Sequence, residues 1–343
     1  MSENLTSPAP APAPAPTSRF RRHLENGRAR NPLFHMTPEA WSEAAARHPE
    51  LAGRVDVSFG WDGDVLEQAF GDAQGLLAGP IDRRRIAAAP RLRWLHTTGA
   101  GVDHIVPLDW LPAHIAVTNS SGIHADKAED YVSMALLMIN SRMPGMLASQ
   151  RARVWDPVHT YPVAGKTAVV LGFGDVGQAA GRGAARLGLR VVAVTRSGKA
   201  VAPAHEVLPV SELDAVLPRA DFLVVTTPLT PETRHLVDAR RVALLPAGAG
   251  LINIGRAPVV DYYAVAARLA SGDLSGAMLD VFDTEPLTQS SPWWDAPNLI
   301  VTPHVSCDAP DYIQRVFDAW FANFARWLAG KELHNQVDRV RGY

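Results

Sequence analysis

The stretch Thr167–Leu171 followed by Gly172-Phe173-Gly174-Asp175-Val176-Gly177 constrains this chain more than any other. A short run of β-branched and apolar residues reads as a buried strand. The glycine pattern that follows opens a helix over Val176–Leu187. The three glycines serve different purposes. Gly172 permits the tight turn, Gly174 lets a pyrophosphate approach the backbone, and Gly177 lets helix and strand pack closely. The helix N-terminus then offers N–H groups and a positive dipole end to the phosphates. A glycine triplet alone is a weak signal. Strand before and helix after, inside a longer alternation, make it a dinucleotide site rather than a βα turn with only a structural purpose.

That alternation organises most of the chain. Its 343 residues suggest two domains, and 47% hydrophobic residues suffice for two cores. In the first part, Val55–Val57, Gly75–Leu77, Trp94–His96 and Ala116–Thr118 read as strands. Pro38–Arg47, Asp64–Phe70 and Asp82–Ala88 read as helices, the first capped by Thr37. Leu33-Phe34-His35 makes a poor first strand. A long apolar helix is predicted over 125–143, ended by Pro144 and buried between domains or subunits. Strands follow at 167–171, 190–195, 222–226, 250–253, 276–280 and 299–301. The last helix, Tyr312–Leu328, is rich in Trp and Phe and is expected to return to the first unit. The predicted fold is α/β: two Rossmann-like domains with parallel sheets, a flavodoxin-like substrate domain and an NAD(P)-binding domain. The boundaries are a disordered Ala/Pro-rich tail at 1–30, a substrate domain at 31–119 and 305–343, and the cofactor domain at 120–304.

Composition narrows the function. A formal net charge of -2 gives no field to recruit nucleic acid or an acidic membrane, so a small-molecule substrate is expected. No apolar run approaches the roughly 20 residues of a membrane span. The N-terminus lacks a signal-peptide core and runs as an Ala-Pro alternation to Pro16, a stiff solvated tail. Arg19, Arg21 and Arg22 read as an unpacked lead-in to the first domain. The single cysteine, Cys307, excludes an intrachain disulfide, fits a reducing cytoplasm, and reads as a small buried side chain. No metal site is expected.

Two further groups define chemistry. An acid at the end of the second strand of a dinucleotide fold binds the ribose 2′-hydroxyl of NAD. Here Thr195 stands in that place, followed by Arg196 and Ser197. Arginine and two hydroxyls suit a 2′-phosphate, so NADP is preferred and NAD remains possible. Arg256, Glu285 and His304 each follow a predicted strand, where ligands of open α/β sheets bind. Arginine suits a carboxylate, histidine a proton transfer, and glutamate favours the charged imidazolium.

The chain resembles the D-isomer-specific 2-hydroxyacid dehydrogenase family, in its glyoxylate/hydroxypyruvate reductase-like branch. The matching pieces are Gly99-Ala100-Gly101-Val102-Asp103, the glycine turn, Pro228-Leu229-Thr230-Pro231-Glu232-Thr233, the Arg256 segment, Leu279-Asp280-Val281-Phe282 with Glu285-Pro286, and Thr302-Pro303-His304. The resemblance implies catalysis by Arg256, Glu285 and His304. It implies substrate binding by Ala100, Gly101, Arg256 and His304. It implies cofactor contacts from Asp175, Val176, Thr195, Arg196, Ser197, Thr226, Thr227, Pro228, Thr233, Ile254 and Asp280, besides Gly172, Gly174 and Gly177. It further implies a homodimer with the helix near residue 130 at the interface and Trp155 on an arm toward the partner. Trp293 and Trp294 read as packing or as the pocket's edge. Ala257 departs from the glycine common after the arginine, and Thr195 from the common acid. The expected activity is NADP(H)-preferring interconversion of a small 2-oxo acid and its D-2-hydroxy acid. The alternatives are a phosphite-type dehydrogenase, which the triad permits, and a non-catalytic dinucleotide-sensing corepressor. A formate enzyme is disfavoured by Glu285, where those carry glutamine.

Overall fold

The computed structural model describes residues 19–342, apart from 66, 67, 70, 80–82 and 88. The Ala-Pro tail, and residues 66, 67 and 70 of the helix expected over Asp64–Phe70, lie outside the described residues. The chain divides into two compact units: one runs to Ile123 and resumes at Ala309, the other is His124–Asp308.

The first unit holds a five-stranded sheet of β1 (Phe20–Asn26), β2 (Val55–Trp61), β3 (Gly75–Ala78), β4 (Trp94–Thr97) and β5 (Ala116–Thr118). Its order is β2-β1-β3-β4-β5, and every pairing is parallel. Strand β1 corrects two expectations. Residues 20–26, read as part of a tail, form an internal strand, and Pro32–Phe34 is a 3-10 turn. The signal was hidden because the strand reads Phe-Arg-Arg-His-Leu-Glu-Asn, whereas strands of parallel sheets usually read as apolar runs. Arg22 is buried, its Cζ lying 3.6 Å from the Trp320 ring centroid and 5.3 Å from that of Trp41. His23 Nε2 meets Glu25 Oε2 at 2.8 Å, and its Nδ1 meets Ser58 Oγ at 2.9 Å. One face of the sheet packs Phe20, Leu24 and Trp94 against Trp41 and the C-terminal helix residues Phe317, Trp320, Phe321 and Phe324. The other packs Leu76, Leu95 and Val117 against Ile86, Ile105 and Leu108.

The second unit holds β6 (Thr167–Leu171), β7 (Arg190–Thr195), β8 (Glu206–Pro209), β9 (Phe222–Val225), β10 (Ala249–Asn253), β11 (Leu274–Leu279) and β12 (Leu299–Val301). They run in the order β12-β11-β10-β9-β6-β7-β8, all pairings parallel. The chain winds outward from β6 through β7 to β8, then returns to add β9 on the other side. That reversal makes a crevice beyond the carboxyl ends of β6 and β9, the usual ligand position of such sheets. Alternate residues face opposite layers. Ala168, Val170, Val191, Ala193 and Val224 meet Val132, Leu136 and Ile139, while Val169, Leu171, Val192, Val194 and Leu223 meet Leu213 and Val242. Strand β8 was not expected: it is a four-residue, half-buried edge strand ending at a proline. The long helix is two, Ala125–Asn140 and Met143–Ala152, because Arg142 adopts a left-handed conformation (φ 55°). Pro144 sits in the first turn of the second helix, where a missing N–H costs nothing, so it starts a helix instead of ending one.

Candidate active site

Parallel strands bring all carboxyl ends to one edge of each sheet. On that edge of the second unit lies the glycine turn. Gly172 has φ +88°, and its N–H donates to Val194 O at 2.9 Å. Thr226 braces the turn through its N–H to Leu171 O (2.9 Å) and its hydroxyl to Gly172 O (2.8 Å). A Cβ on Gly172 would stand 2.8 Å from Thr227 Cγ2, and one on Gly177 would collide with the Gly172 carbonyl oxygen. A Cβ on Gly174 would meet nothing within 4 Å. The protein itself therefore requires the first and third glycines; the second leaves open space over the helix N-terminus at Asp175 and Val176. Beside it, Thr227 Oγ1 is buried with no hydrogen-bond partner among the described residues. Buried hydroxyls normally have a partner. An open cradle at a helix N-terminus and an unsatisfied hydroxyl next to it fit a dinucleotide.

The flanking loops are organised by their own hydroxyls. Thr195 Oγ1 accepts from Gly198 N (2.9 Å), closing a turn that leaves Arg196 and Ser197 exposed. Thr233 Oγ1 donates to Pro228 O (2.7 Å) and accepts from Thr230 N (2.8 Å), which holds the Pro228–Thr233 loop in shape. Glu232 on that loop lies below the usual carboxylate range, through hydrogen bonds from Thr230 and its own backbone and through the charge of Arg196. The two loops therefore face each other electrostatically.

Arg256, Glu285 and His304 follow β10, β11 and β12, three adjacent strands. Asn253 fixes the first: its Oδ1 accepts from Gly255 N (2.9 Å), and its Nδ2 donates to Arg256 O (3.1 Å) and to Tyr262 Oη (2.9 Å). Ile254 is buried beside it, with its N–H on Val225 O. Glu285 Oε1 accepts from Phe282 N at 2.7 Å, and its Oε2 meets His304 Nδ1 at 2.7 Å. That hydrogen bond raises the His304 pKa above the usual histidine value; burial and the charge of Arg256 oppose it, and Asp280 adds to it. Burial pushes the Glu285 carboxyl up, but the bonds from His304 and the Phe282 N–H outweigh it and hold it below its usual range.

Asp280 has a second role that the sequence did not suggest. It is wholly buried, and its Oδ1 accepts from Thr302 Oγ1 (2.6 Å) and Val305 N (2.9 Å), its Oδ2 from Ser306 N (2.9 Å). These bonds bracket His304, whose φ of +55° is uncommon for a residue other than glycine. Tyr131 Oη lies 2.5 Å from Thr302 Oγ1. Since the Thr302 proton goes to Asp280, Tyr131 donates. A helix residue far away in sequence thus buttresses the histidine loop, a contact that no local spacing reveals. Cys307, next to this cluster, is pushed up to about 11 by burial, which leaves it a poor nucleophile.

Ala100 and Gly101 lie in the first unit, after β4. Gly99 O accepts from Thr97 Oγ1 (2.9 Å) and Ser120 N (3.1 Å), and Ala100 O from Asn119 Nδ2 (2.9 Å), so this loop's carbonyls are tied back into its own unit. Trp155 is 95% exposed and Tyr161 85%. Trp293 packs on Tyr262 at 5.7 Å between ring centroids, and the Trp294 indole donates to Thr288 O. A cavity of about 460 Å³ in the second unit is lined by Lys166, Asp221, Gly248 and Asn298, which precede strands, and so lies at the opposite edge from these residues. Among the described residues, no cluster of His, Cys, Asp or Glu could hold a metal ion, and no helix is long and apolar enough to cross a membrane.

Comparison with known proteins agrees with this geometry. Residues 133–306 match the family model described as "D-isomer specific 2-hydroxyacid dehydrogenase, NAD binding domain". A D-3-phosphoglycerate dehydrogenase of Mycobacterium bovis is 32% identical over 269 residues, covering 76% of this chain and 51% of the relative. The chain thus spans about half the length of the curated relatives it matches first. Among solved structures, a D-isomer specific 2-hydroxyacid dehydrogenase from Xanthobacter autotrophicus Py2, in complex with NADPH and MES, superposes with a TM-score of 0.82 at 32% identity, over 95% of this chain and 100% of that one. An NADPH-dependent glyoxylate/hydroxypyruvate reductase from Sinorhizobium meliloti, in complex with NADP and sulfate, gives 0.79 at 28% identity, over 95% and 100%. With a reversed parallel sheet, a glycine turn at its switch point and a family match across half its length, this chain belongs to the D-isomer specific 2-hydroxyacid dehydrogenase family.

Proposed function

We propose that this protein interconverts a small 2-oxo acid and its D-2-hydroxy acid, with NADP(H) preferred and NAD possible. The observation that carries this reading is the His304–Glu285 pair at 2.7 Å, with the His304 pKa raised, on the edge that carries Arg256 and the glycine turn. A bound dihydronicotinamide supplies the hydride. The chain's residues do the rest. Glu285 occupies His304 Nδ1, leaving Nε2 to give its proton to the C2 oxygen as C2 gains hydride. Arg256 binds the substrate carboxylate as a planar fork, and the backbone N–H groups of Ala100 and Gly101 are the first unit's contribution to substrate binding. Gly172, Gly174, Gly177, Asp175 and Val176 receive the pyrophosphate, and Thr226, Thr227, Pro228, Thr233, Ile254 and Asp280 line the remainder of the cofactor.

Arg196, with Ser197 and Thr195, receives the 2′-phosphate. The kinship with an NADPH-dependent glyoxylate/hydroxypyruvate reductase supports both this preference and a glyoxylate- or hydroxypyruvate-like substrate. The exposed Trp155 and Tyr161, with Met134 and Leu137 each 43% exposed, support a homodimer through this face. The single cysteine fits the cytoplasm.

The test is a steady-state panel of 2-oxo acids with NADPH and NADH. Reduction should be seen, with His304→Ala slower by about 10²–10⁴-fold, the usual worth of a general acid. Turnover of no 2-oxo acid would refute the activity. Arg196→Ala should weaken NADPH more than NADH; equal losses would remove the cofactor assignment.

A further inference from the structure

Behind the loop of Ala100 and Gly101, the first unit carries a chain of buried polar side chains that the proposed reaction does not use. Strands β4 and β5 are neighbours with His96 opposite Thr118. Residues two apart on a strand face the same side, so Trp94 joins His96 there. Trp94 Nε1 donates to Thr118 Oγ1 at 2.7 Å. Thr118 Oγ1 lies 2.6 Å from His96 Nδ1, and His96 Nε2 lies 3.1 Å from Ser120 Oγ. Ser120 Oγ donates to Thr97 O at 3.0 Å. All five residues are buried. A hydroxyl has one proton to give. That of Ser120 goes to Thr97 O, so His96 Nε2–H donates to Ser120 Oγ. Nδ1 is then the acceptor, and Thr118 gives its proton there while its oxygen takes the Trp94 N–H. Every proton has one place, and the chain runs in one direction, from Trp94 to Thr97 O. Burial and the charge of Arg22 keep the imidazole neutral by lowering its pKa to about 3.

Thr97 O is the first of four consecutive carbonyls held from behind. Tyr312 Oη donates to Thr98 O (2.9 Å), Thr97 Oγ1 and Ser120 N to Gly99 O (2.9 and 3.1 Å), and Asn119 Nδ2 to Ala100 O (2.9 Å). In a planar trans peptide the N–H points opposite to the carbonyl. Holding Gly99 O and Ala100 O inward therefore turns the N–H groups of Ala100 and Gly101 outward. Neither N–H meets an acceptor among the described residues. Ser120 is the joint: its hydroxyl links His96 to Thr97 O, and its own N–H holds Gly99 O. We propose that His96, with its proton on Nε2, is a positioning residue that acts through Ser120 to set these two outward N–H groups for the substrate carboxylate. The inference rests on the proposed reduction and on Ala100 and Gly101 as substrate-binding groups.

The experiment compares His96→Leu, His96→Gln and Ser120→Ala in the full-length protein. His96→Leu interrupts the chain and should raise KM for the 2-oxo acid roughly 10-fold, the order of one lost buried hydrogen bond, with kcat and the KM for NADPH little changed. Glutamine offers an acceptor and a donor as the imidazole does, so His96→Gln should recover most of the loss. A merely structural role would favour leucine, the better core filler, over glutamine. Ser120→Ala removes only the joint and should act like His96→Leu; it serves as the reading if His96→Leu fails to fold. Proton–nitrogen NMR of the imidazole should show the Nε2–H tautomer. Glycolate added with NADPH, a pair that cannot react, should shift the Ala100 and Gly101 amide signals in wild type and shift them less at equal glycolate in His96→Leu. An Nδ1–H tautomer, a KM unchanged in His96→Leu and Ser120→Ala, or His96→Gln as impaired as His96→Leu would overturn the inference while leaving the reduction intact. Amides that do not respond in wild type would remove the two N–H groups from substrate binding and the role of His96 with them. Absence of turnover for every acid would sink both the reduction and the inference.

Discussion

The two sheets solve one problem with opposite materials. In the second unit, β6, β7 and β9 are apolar along nearly their whole length, and both faces are covered by aliphatic residues. In the first unit, the internal strand β1 buries Arg22, His23, Glu25 and Asn26. His23 and Glu25 satisfy each other, and Asn26 bonds to Met36 and Gly60, whereas the Arg22 guanidinium rests on tryptophan rings with no hydrogen-bond partner among the described residues. Burial accordingly drives its pKa well below that of a free arginine. A buried charge without a hydrogen bond is costly, and the stacking on Trp320 offsets only part of that cost. The second unit uses its deeply buried carboxylate, Asp280, for the loop that carries His304. Buried polarity thus lies within a strand in one unit and holds the His304 loop in the other.

That contrast can be broken experimentally, and the largest effect is expected at Asp280. Asp280→Asn puts an amide N–H against backbone N–H donors and loosens His304. Small misplacements of this kind cost about 10²-fold, so kcat should fall by that order while cofactor affinity changes less. An unchanged kcat would show that the clamp does not position the histidine. In the first unit, Arg22→Met fills the same space without charge. It should leave stability unchanged or raise it by up to about 2 kcal/mol in urea unfolding, since buried charges are often replaced favourably by apolar residues. A clear loss would mean that the guanidinium has a stabilising role beyond its stacking.

The glycines give a finer comparison. Gly174→Ala meets open space and should cost about 1 kcal/mol or less in stability, while weakening NADPH by roughly 10-fold or more. Gly177→Ala must push against the Gly172 carbonyl and should lower the melting temperature. The reverse pattern would contradict the assignment of the turn. The smallest effect concerns pH. The His304 pKa is raised in the folded protein, so its contribution to stability is complete below about pH 6.5 and is lost as pH rises through the raised value. The rate of reduction should decline along the same limb, because the proton donor is lost. Glu285→Gln removes the carboxylate that favours the imidazolium, so the limb should move to lower pH. A limb that stayed in place would assign it to another group.

Sequence legibility followed the same divide. Strands β6, β7 and β12 and the helices Pro38–Arg47 and Tyr312–Leu328 coincide with their expected ranges, because each carries a regular apolar period or a local start signal. Strand β1 escaped because its core-facing Arg22 looks like surface. Strand β8 escaped because four half-buried residues ending in proline carry too little pattern. The break at Arg142 escaped because a left-handed residue other than glycine leaves no mark in composition.

The residues near the glycine turn were legible because each obeys a local rule: a Cβ fits or it does not, a helix start binds anions or it does not. The same holds for the placement of Arg256, Glu285 and His304 after strands. Amino-acid order by itself therefore determined the fold class, the dinucleotide turn and the residue types available for chemistry. Only the tertiary structure decided that Asp280 and Tyr131 hold the histidine loop and that Glu285 lies against His304 Nδ1. Those are contacts between residues far apart in the chain, set by which strands become neighbours, and no local period encodes them.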